Sequence, residues 1–322
     1  MTTIDKEELD LLIQSEWGYL ESKKGEWSLL EGEQDMEVLE HVLRCILHMD
    51  LTPEKPQEFK ECLKVQNPDG GWSKESHTDK TSMWITTFVG LKLCRGNLIL
   101  KDPDIQATVD KTLEYVLSMQ EEDGHWSDTE WSHLDTTCSV SCFLTIYQVT
   151  QDKRDDERIN KARIKGFEFI VQWQRDSGLW KDETFHPAGI ETTAHLMQYT
   201  LVPAYFMDKI EYAGKMCMDA ADSMVAAQAE NGSWDNENTD HTMDACRNLM
   251  LVSDTFKTKE KYAPVIEKGV RWLIDIKNEQ GWGDFPQEPS NVERTADGLD
   301  TLLKYRRYDS GKPMSHFWAF SK

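Results

Sequence analysis

An all-α chain folded as an (α/α)6 barrel is what the sequence predicts, and three observations predict it. A tryptophan turn recurs six times, a glutamine precedes the four middle copies at constant distance, and the intervals carry helical rather than strand periodicity. Gly-Glu-Trp ends at Trp27, Gly-Gly-Trp at Trp72, Gly-His-Trp at Trp126, Gly-Leu-Trp at Trp180, Gly-Ser-Trp at Trp234 and Gln-Gly-Trp at Trp282. The steps between them are 45, 54, 54, 54 and 48 residues. Self-similarity at one period is the mark of a repeat architecture. Gln66, Gln120, Gln174 and Gln228 each stand six residues ahead of their tryptophan.

Each repeat reads as a helical hairpin. Ahead of the Gln lies an amphipathic segment, such as Ile105, Val109, Leu113, Val116 and Leu117, whose spacing places the apolar side chains on one helical face. The turn follows, its glycine giving the backbone freedom for a tight corner. A second helix of small and apolar residues comes next, as in Cys138, Val140, Cys142, Phe143 and Leu144. No segment combines strand alternation with hairpin turns. The second helices carry less charge than the first, which suits an inner ring inside an outer one. Six hairpins account for residues 1–322 as a single domain, with residues 308–322 as a tail that covers one barrel end. An open solenoid is the other way to stack such hairpins. The six tryptophans are read as structural, each indole wedged between repeats with its N–H bonded to a backbone or Gln acceptor.

The chain has 322 residues and a net charge of −22, from 36 basic and 58 acidic side chains. That balance argues against nucleic acid as a partner and leaves at most a peripheral membrane contact. The N-terminus lacks the basic and apolar regions of a signal peptide, and no apolar run approaches the roughly 18 residues of a membrane span. Seven scattered cysteines without a C-x-x-C pair suggest reduced thiols and a cytoplasmic location.

Residues 165–180, KGFEFIVQWQRDSGLW, resemble the repeat signature of squalene-hopene and oxidosqualene cyclases: a basic residue with Gly, an aromatic, an aliphatic, Gln, and Gly-x-Trp. KGVRWLIDIKNEQGW (268–282) is a degraded copy with Lys277 in the Gln position. The resemblance covers most of the chain. It implies the toroid of the terpene cyclase and prenyltransferase superfamily and, at this length, a single-domain class II terpene or meroterpenoid cyclase.

Such enzymes begin by protonating an alkene with the middle carboxyl of an Asp-x-Asp-Asp-Thr-Ala motif. HLDTTC (133–138) resembles that motif in part, which implies Asp135 as general acid, with His133 and Thr136 in place of the flanking acids. IETTAHL (190–196) resembles the family segment that polarises the acid, placing Glu191 and His195 there. An ordinary Asp titrates near 3.9 and has no proton to give at neutral pH. Burial raises a carboxyl, and a donor must then stabilise the carboxylate as the proton leaves. His195, His133 and the Thr136 hydroxyl are the candidates. The alternative role for Asp135 is helix capping. Asp79, in HTDKTS (77–82), is a rival acid with Lys80 beside it.

Trp84, Phe88, Trp131, Phe143, Tyr147, Tyr199, Phe206 and Phe285 are candidate wall residues, offering π faces to a migrating cation; Phe185 and Trp318 lie near a turn and in the tail. Arg247 and Arg294 begin inner helices and are candidates for holding a substrate carboxylate or phenolate. The expected substrate is a hydrophobic polyprenyl chain. No organic cofactor and no metal is expected, with Mg2+ relevant only to a diphosphate head group. Three alternatives stay open. A prenyltransferase β-like zinc enzyme would use Asp244 and Cys246 of MDACRN, with Glu293 and Arg294 where a third ligand belongs. The other two are a carbohydrate-active enzyme with paired carboxylates and a non-catalytic lipid-binding toroid. Oligomeric state is not readable.

Overall fold

The computed structural model describes residues 4–180 and 189–314. In chain order the helices are α1 (Lys6–Ser22), α2 (Met36–Met49), α3 (Gln57–Lys64), α4 (Met83–Leu100), α5 (Pro103–Ser118), α6 (His133–Thr150), α7 (Glu157–Val171), α8 (Gly189–Leu196), α9 (Val202–Met207), α10 (Glu211–Ala226), α11 (Thr239–Thr255), α12 (Lys259–Ile276) and α13 (Val292–Asp309). A π-helical turn, Met197–Leu201, joins α8 to α9. A departure from helix, unexpected from the sequence, is a two-residue ribbon in which β1 (Trp72–Ser73) pairs antiparallel with β2 (Thr81–Ser82). The chain divides into two compact units.

The unit Lys24–Trp173 holds α2 through α7. Its second-of-hairpin helices pack in sequence, α2 on α4 and α4 on α6. They are sealed on nearly all faces: α6 is buried from Leu134 through Gln148. A helix buried all round must be apolar or self-satisfied all round, and here hydroxyls bond back to their own helix, as Ser141 does to Thr137 O and Thr145 to Ser141 O. Helices α3, α5 and α7 bury one stripe each. Inside this layer Lys92 of α4 meets Glu40 of α2 at 2.6 Å and lies 4.8 Å over the Phe88 ring.

The second unit joins α1 to everything from Gln174 onward. Here α11 packs between α8 and α13, and α10, α12 and α1 lie against them. Arg306 of α13 pairs with Asp10 of α1 at 2.9 Å. Lys277, which replaces the repeat Gln, reaches Glu16 of α1 at 2.9 Å, so the substitution that degrades the motif ties down the first helix. Met314 is buried, and its N–H donates to Asp254 of α11. The rest of the expected tail, including Trp318, lies outside the described residues, as does Phe185.

One bond set recurs at the turns that carry the Gln. Its side chain donates to the turn glycine carbonyl, as Gln120 does to Gly124 O at 2.9 Å, and reaches across to the next amphipathic helix at Ala162 O, also 2.9 Å. Gln66 and Gln228 repeat both contacts, and Gln174 repeats the first, to Gly178 O. Gly124 has a φ of +102°, and a Cβ there would fall 2.5 Å from Lys165 O; left-handed backbone and close approach both exclude other residues. The indole N–H of Trp126 donates to Val116 O at 2.8 Å, and Trp72, Trp234 and Trp282 make the same bond to their own first helices.

The tryptophan backbone is also anchored. Its N–H donates to a threonine hydroxyl in the first turns of the following helix: Trp72 to Thr86, Trp126 to Thr137, Trp180 to Thr193, Trp234 to Thr242 and Trp282 to Thr295. The chain between the two ends spans 14, 11, 13, 8 and 13 positions respectively. Thr137, which lies in the HLDTTC segment that resembles the acid motif, is therefore one of five turn anchors. Losing it leaves a buried N–H unpaired, at a cost of about 1–3 kcal/mol. Thr137→Val and Thr242→Val are each expected to lose stability in that range in denaturant unfolding, whereas a purely catalytic Thr137 would leave stability unchanged.

Candidate functional site

The anchors define a register. Two residues before each anchoring threonine stand Trp84, Asp135, Glu191, Asp240 and Glu293. Four of the five are acids, each in the first turn of its helix, where a carboxylate is favoured by the helix dipole. Sequence reading singled out Asp135 and Glu191 by resemblance and missed that both belong to a series. The signal was an acid-x-Thr triplet in four successive repeats, hidden by the unequal distance from Trp to Thr.

In the unit Lys24–Trp173, Asp135 is 3% exposed. Helix α6 begins three residues earlier than the capping alternative assumes. Ser132 is the N-cap: its hydroxyl accepts from the Asp135 N–H at 3.0 Å and donates to Asp135 Oδ2 at 2.7 Å. Asp135 is thus the third residue of the helix, bonded to the cap hydroxyl through both its backbone N–H and its carboxylate, rather than the cap itself. Thr136 is fully buried, and its hydroxyl has no partner among the described residues. His133 departs from expectation: it is exposed and stacks on His125, ring centroids 4.4 Å apart. One residue past the cap, its side chain follows the outer turn of the helix rather than the buried face. Asp79 is exposed, on the loop before β2, and is excluded as a sequestered acid.

On the neighbouring helix α4, Trp84 occupies the register position equivalent to Asp135. Its ring stacks on Trp131 at 4.2 Å and meets Phe88 edge-on at 4.7 Å. Three positions further along α4 the Thr87 hydroxyl donates to Ser139 of α6 at 2.9 Å, pinning the two helices. Phe143 and Tyr147 are not free wall surface. Phe143 fills the space over Gly90, where a Cβ would meet its ring at 2.9 Å, and the Tyr147 hydroxyl donates to Asp110 of α5 at 2.6 Å. Phe206 and Phe285 are 43% and 42% exposed and correct the expectation that they line a wall.

The second unit holds a dense charge network on α8, α11 and α13. His241 lies between Asp235 and Glu191, at 2.8 and 3.1 Å. His195 contacts Asp244 Oδ2 at 3.3 Å and stacks near Tyr199, which lies in the π-helical turn. Arg247 bridges Asp244 at 2.6 Å and Asp297 at 2.8 Å. Arg294 meets Glu293, Asp284, Asp297 and Asp240, at 2.6, 2.8, 2.8 and 3.0 Å. Both guanidinium groups are thus occupied by the chain's own carboxylates, which corrects their expected role as receptors for a substrate anion. Cys246 turns toward Gly269 of α12, while Asp244 turns toward Arg247 and His195. The Asp-x-Cys pair of the zinc alternative therefore points in two directions and does not converge on one ion. Burial pushes the Cys246 thiol up to about 12, further from a thiolate ligand.

Environment separates the carboxyls. Burial would raise Asp244, yet Arg247 and His195 hold it well below the usual carboxylate range. Burial pushes Asp240 up to about 6, against the pull of Arg294 and with help from Asp297, Asp244 and Glu191. Glu191 is also buried, but His241 and His195 hold it below its ordinary value. Burial alone would lower His241; bonds to Asp235 and Glu191 instead carry it up to about 10. A raised histidine stabilises the fold fully below its unfolded value near 6.5, and the contribution falls away as pH rises toward about 10. Each tenfold gain in proton affinity on folding corresponds to roughly 1.4 kcal/mol. His241→Gln is therefore expected to lower stability by a few kcal/mol at pH 6, with the difference shrinking to nothing near pH 10 in pH-dependent unfolding.

No protein-family profile and no curated protein matches the sequence. Solved structures do match. A type II terpene cyclase from Scytonema, in complex with merosterolic acid A as product, superposes with TM-score 0.64 at 11% identity, covering 93% of this chain and 97% of the other. An ent-copalyl diphosphate synthase from Streptomyces platensis gives 0.61 at 18% identity, covering 84% of this chain and 50% of the other. A glycosyl hydrolase family 88 protein from Bacteroides vulgatus gives 0.69 at 12% identity over 94% and 99%. Likeness at this level of identity speaks to architecture alone. The chain is all-α and has the α/α toroid fold that these proteins share.

Proposed function

We propose that this chain is a class II terpene or meroterpenoid cyclase in which Asp135 protonates a carbon–carbon double bond of a polyprenyl substrate. The carrying observation is the placement of Asp135: a nearly sealed carboxyl at the mouth of α6, accepting from the neutral Ser132 hydroxyl. A tryptophan occupies the same register position on the helix beside it. The repeat signature supports this reading, and the fold accommodates it.

In this reading the O–H bond of Asp135 breaks, a C–H bond forms at the alkene terminus, and the electron pair left on the carboxylate is held by the Ser132 hydroxyl. The tertiary cation then closes rings by attack of successive alkenes. Trp84, Trp131 and Phe88 are the proposed cation-stabilising faces, each contributing ~0.5–2 kcal/mol when desolvated. Loss of a proton or capture of water ends the sequence. Orientation of the folded chain offsets roughly 7–11 kcal/mol of barrier. No cofactor enters, and a diphosphate head group would bring its own Mg2+. His195, with Asp244 as partner, and Thr136 are not assigned a step.

Incubation with geranylgeranylated aromatic acids, geranylgeranyl diphosphate and squalene, read by mass spectrometry and NMR, tests the proposal. Cyclised product is expected from the unmodified chain. Asp135→Asn is expected to cut turnover by 10^3 or more while substrate affinity stays within a few-fold. Transfer of a prenyl group to a thiol, or turnover undiminished in Asp135→Asn, would overturn the assignment.

A further inference from the structure

Between Trp126 and α6 the chain runs as a short strap, residues 128–132, fastened at both ends within one unit. At its far end Ser132 caps α6 and holds the Asp135 carboxylate. At its near end Asp128 holds the start of α4. Its Oδ2 accepts from the Ser82 hydroxyl at 2.8 Å and from the Trp84 N–H at 3.1 Å, and its Oδ1 accepts from the Glu130 N–H at 2.9 Å. The first N–H groups of a helix have no partner inside it, and the helix dipole favours a carboxylate there. One side chain therefore clamps the first turn of α4 to the backbone of the strap.

Other repeats are laced at the same place by a different atom. Two residues after Trp72, the Lys74 carbonyl accepts from the Met36 N–H that opens α2, at 2.7 Å. Two residues after Trp282, the Asp284 carbonyl accepts from the Thr239 N–H that opens α11, at 3.0 Å. Those lacings are backbone and do not depend on which side chain is present. Two residues after Trp126 the lacing is a carboxylate, and a single substitution removes it.

This strap also carries a ring. Trp131 lies between the two fastenings and stacks on Trp84, with centroids 4.2 Å apart and planes 13° apart. Trp84 owns the N–H that Asp128 Oδ2 holds, and Glu130, next to Trp131, owns the N–H that Oδ1 holds. The carboxylate thus fixes both partners of the stack. Lys74 also reaches the strap, 3.6 Å from Glu130, but both side chains are open to water and such a pair holds little.

We propose that Asp128 is a positioning residue for the protonation at Asp135: by fastening the strap it keeps the Trp131–Trp84 stack beside the acid, where the first tertiary cation forms. The proposal rests on the class II reading above. Asp128 touches no reacting atom and acts through the two indoles. Trp131 precedes by one residue the serine that holds Asp135, and Trp84 has the register of Asp135 on the helix packed against α6. When the proton of Asp135 reaches the alkene terminus, positive charge appears on the neighbouring carbon. A π face fixed in advance stabilises that charge without having to move. With the strap loose, the cation forms beside a mobile ring and water competes for it. The water oxygen bonds to the cationic carbon, a proton passes to solvent, and an acyclic or partly cyclised tertiary alcohol leaves.

Steady-state kinetics, product analysis and far-ultraviolet circular dichroism of variants test it. Two indoles stacked this closely couple as an exciton pair, so the stack has a signal of its own. Asp128→Ala is expected to lose that signal and to lower kcat roughly 3- to 30-fold, the rate equivalent of one desolvated π face. Its KM is expected to stay near that of the unmodified chain, and its products to shift toward the alcohols. Asp128→Asn, whose amide oxygen serves only one end of the clamp, is expected to fall between the two, and it carries the test should Asp128→Ala not fold. Trp131→Leu is expected to shift the products in the same way, and adding Asp128→Ala to it to cost no further kcat. Unchanged kcat and products in folded Asp128→Ala, or losses that simply add in the double variant, overturn the proposal while leaving Asp135 standing. Absence of any product from the unmodified chain overturns the class II reading first and this proposal with it.

Discussion

Both units depend on the hydrogen bond from the backbone N–H of a turn tryptophan to the hydroxyl of a threonine one turn into the next helix. A Gly-x-Trp corner exposes backbone donors to a dry interior, and an unpaired buried donor is expensive. The threonine satisfies that donor and, in doing so, fixes where each buried helix begins. Once the start is fixed, the residue two positions earlier is fixed as well, on the first turn and at the same end of every hairpin. The helical position of the acids of the candidate sites follows from this bond, and their own contacts then orient the side chains.

The architecture was legible because it is written in residues that have few substitutes. Six turn tryptophans, three of their five steps equal, and four glutamines each six residues ahead of one announce hairpins, and the apolar stripe of segments such as 105–117 announces the one-sided layer. The indole and Gln bonds follow from the same logic, since large polar-tipped side chains inside a protein must find acceptors. The candidate site was legible only in part. Asp135 stands at a helix mouth and buried, as its resemblance implied, but His133 was misjudged because sequence does not show which side of a first turn faces in. Arg247 and Arg294 were read as ligand receptors because their carboxylate partners come from residues three positions along the same helix and fifty positions away on another. Phe143 and Tyr147 were read as wall because a buried aromatic on a helix sealed all round has no face that periodicity can name.

The two units meet the problem of buried polarity in opposite ways. Around Asp135 the layer is neutral: hydroxyls, cysteines and aromatic rings, with Lys92 and Glu40 as its close ion pair. Around Asp240 it is ionic, with carboxylates and guanidiniums interlocked across three helices. Ion pairs of that kind add little net stability, yet they set protonation closely, holding Asp244 ionised and leaving Asp240 near the point of balance. One scaffold thus supplies a carboxyl in a low-polarity setting and a carboxyl in a charged one from the same helical position.

The unequal stretches between tryptophan and threonine carry a consequence of their own. The bond closes equally well over 8 or 14 positions, so the scaffold is indifferent to how much chain is looped out between its ends. Those five segments are natural ports for insertion: a peptide spliced into one of them lengthens the rim without disturbing the helices on either side. Descent from a common hairpin can therefore diversify ligand choice by growing loops, while the residues that carry the chemistry stay where the anchor puts them.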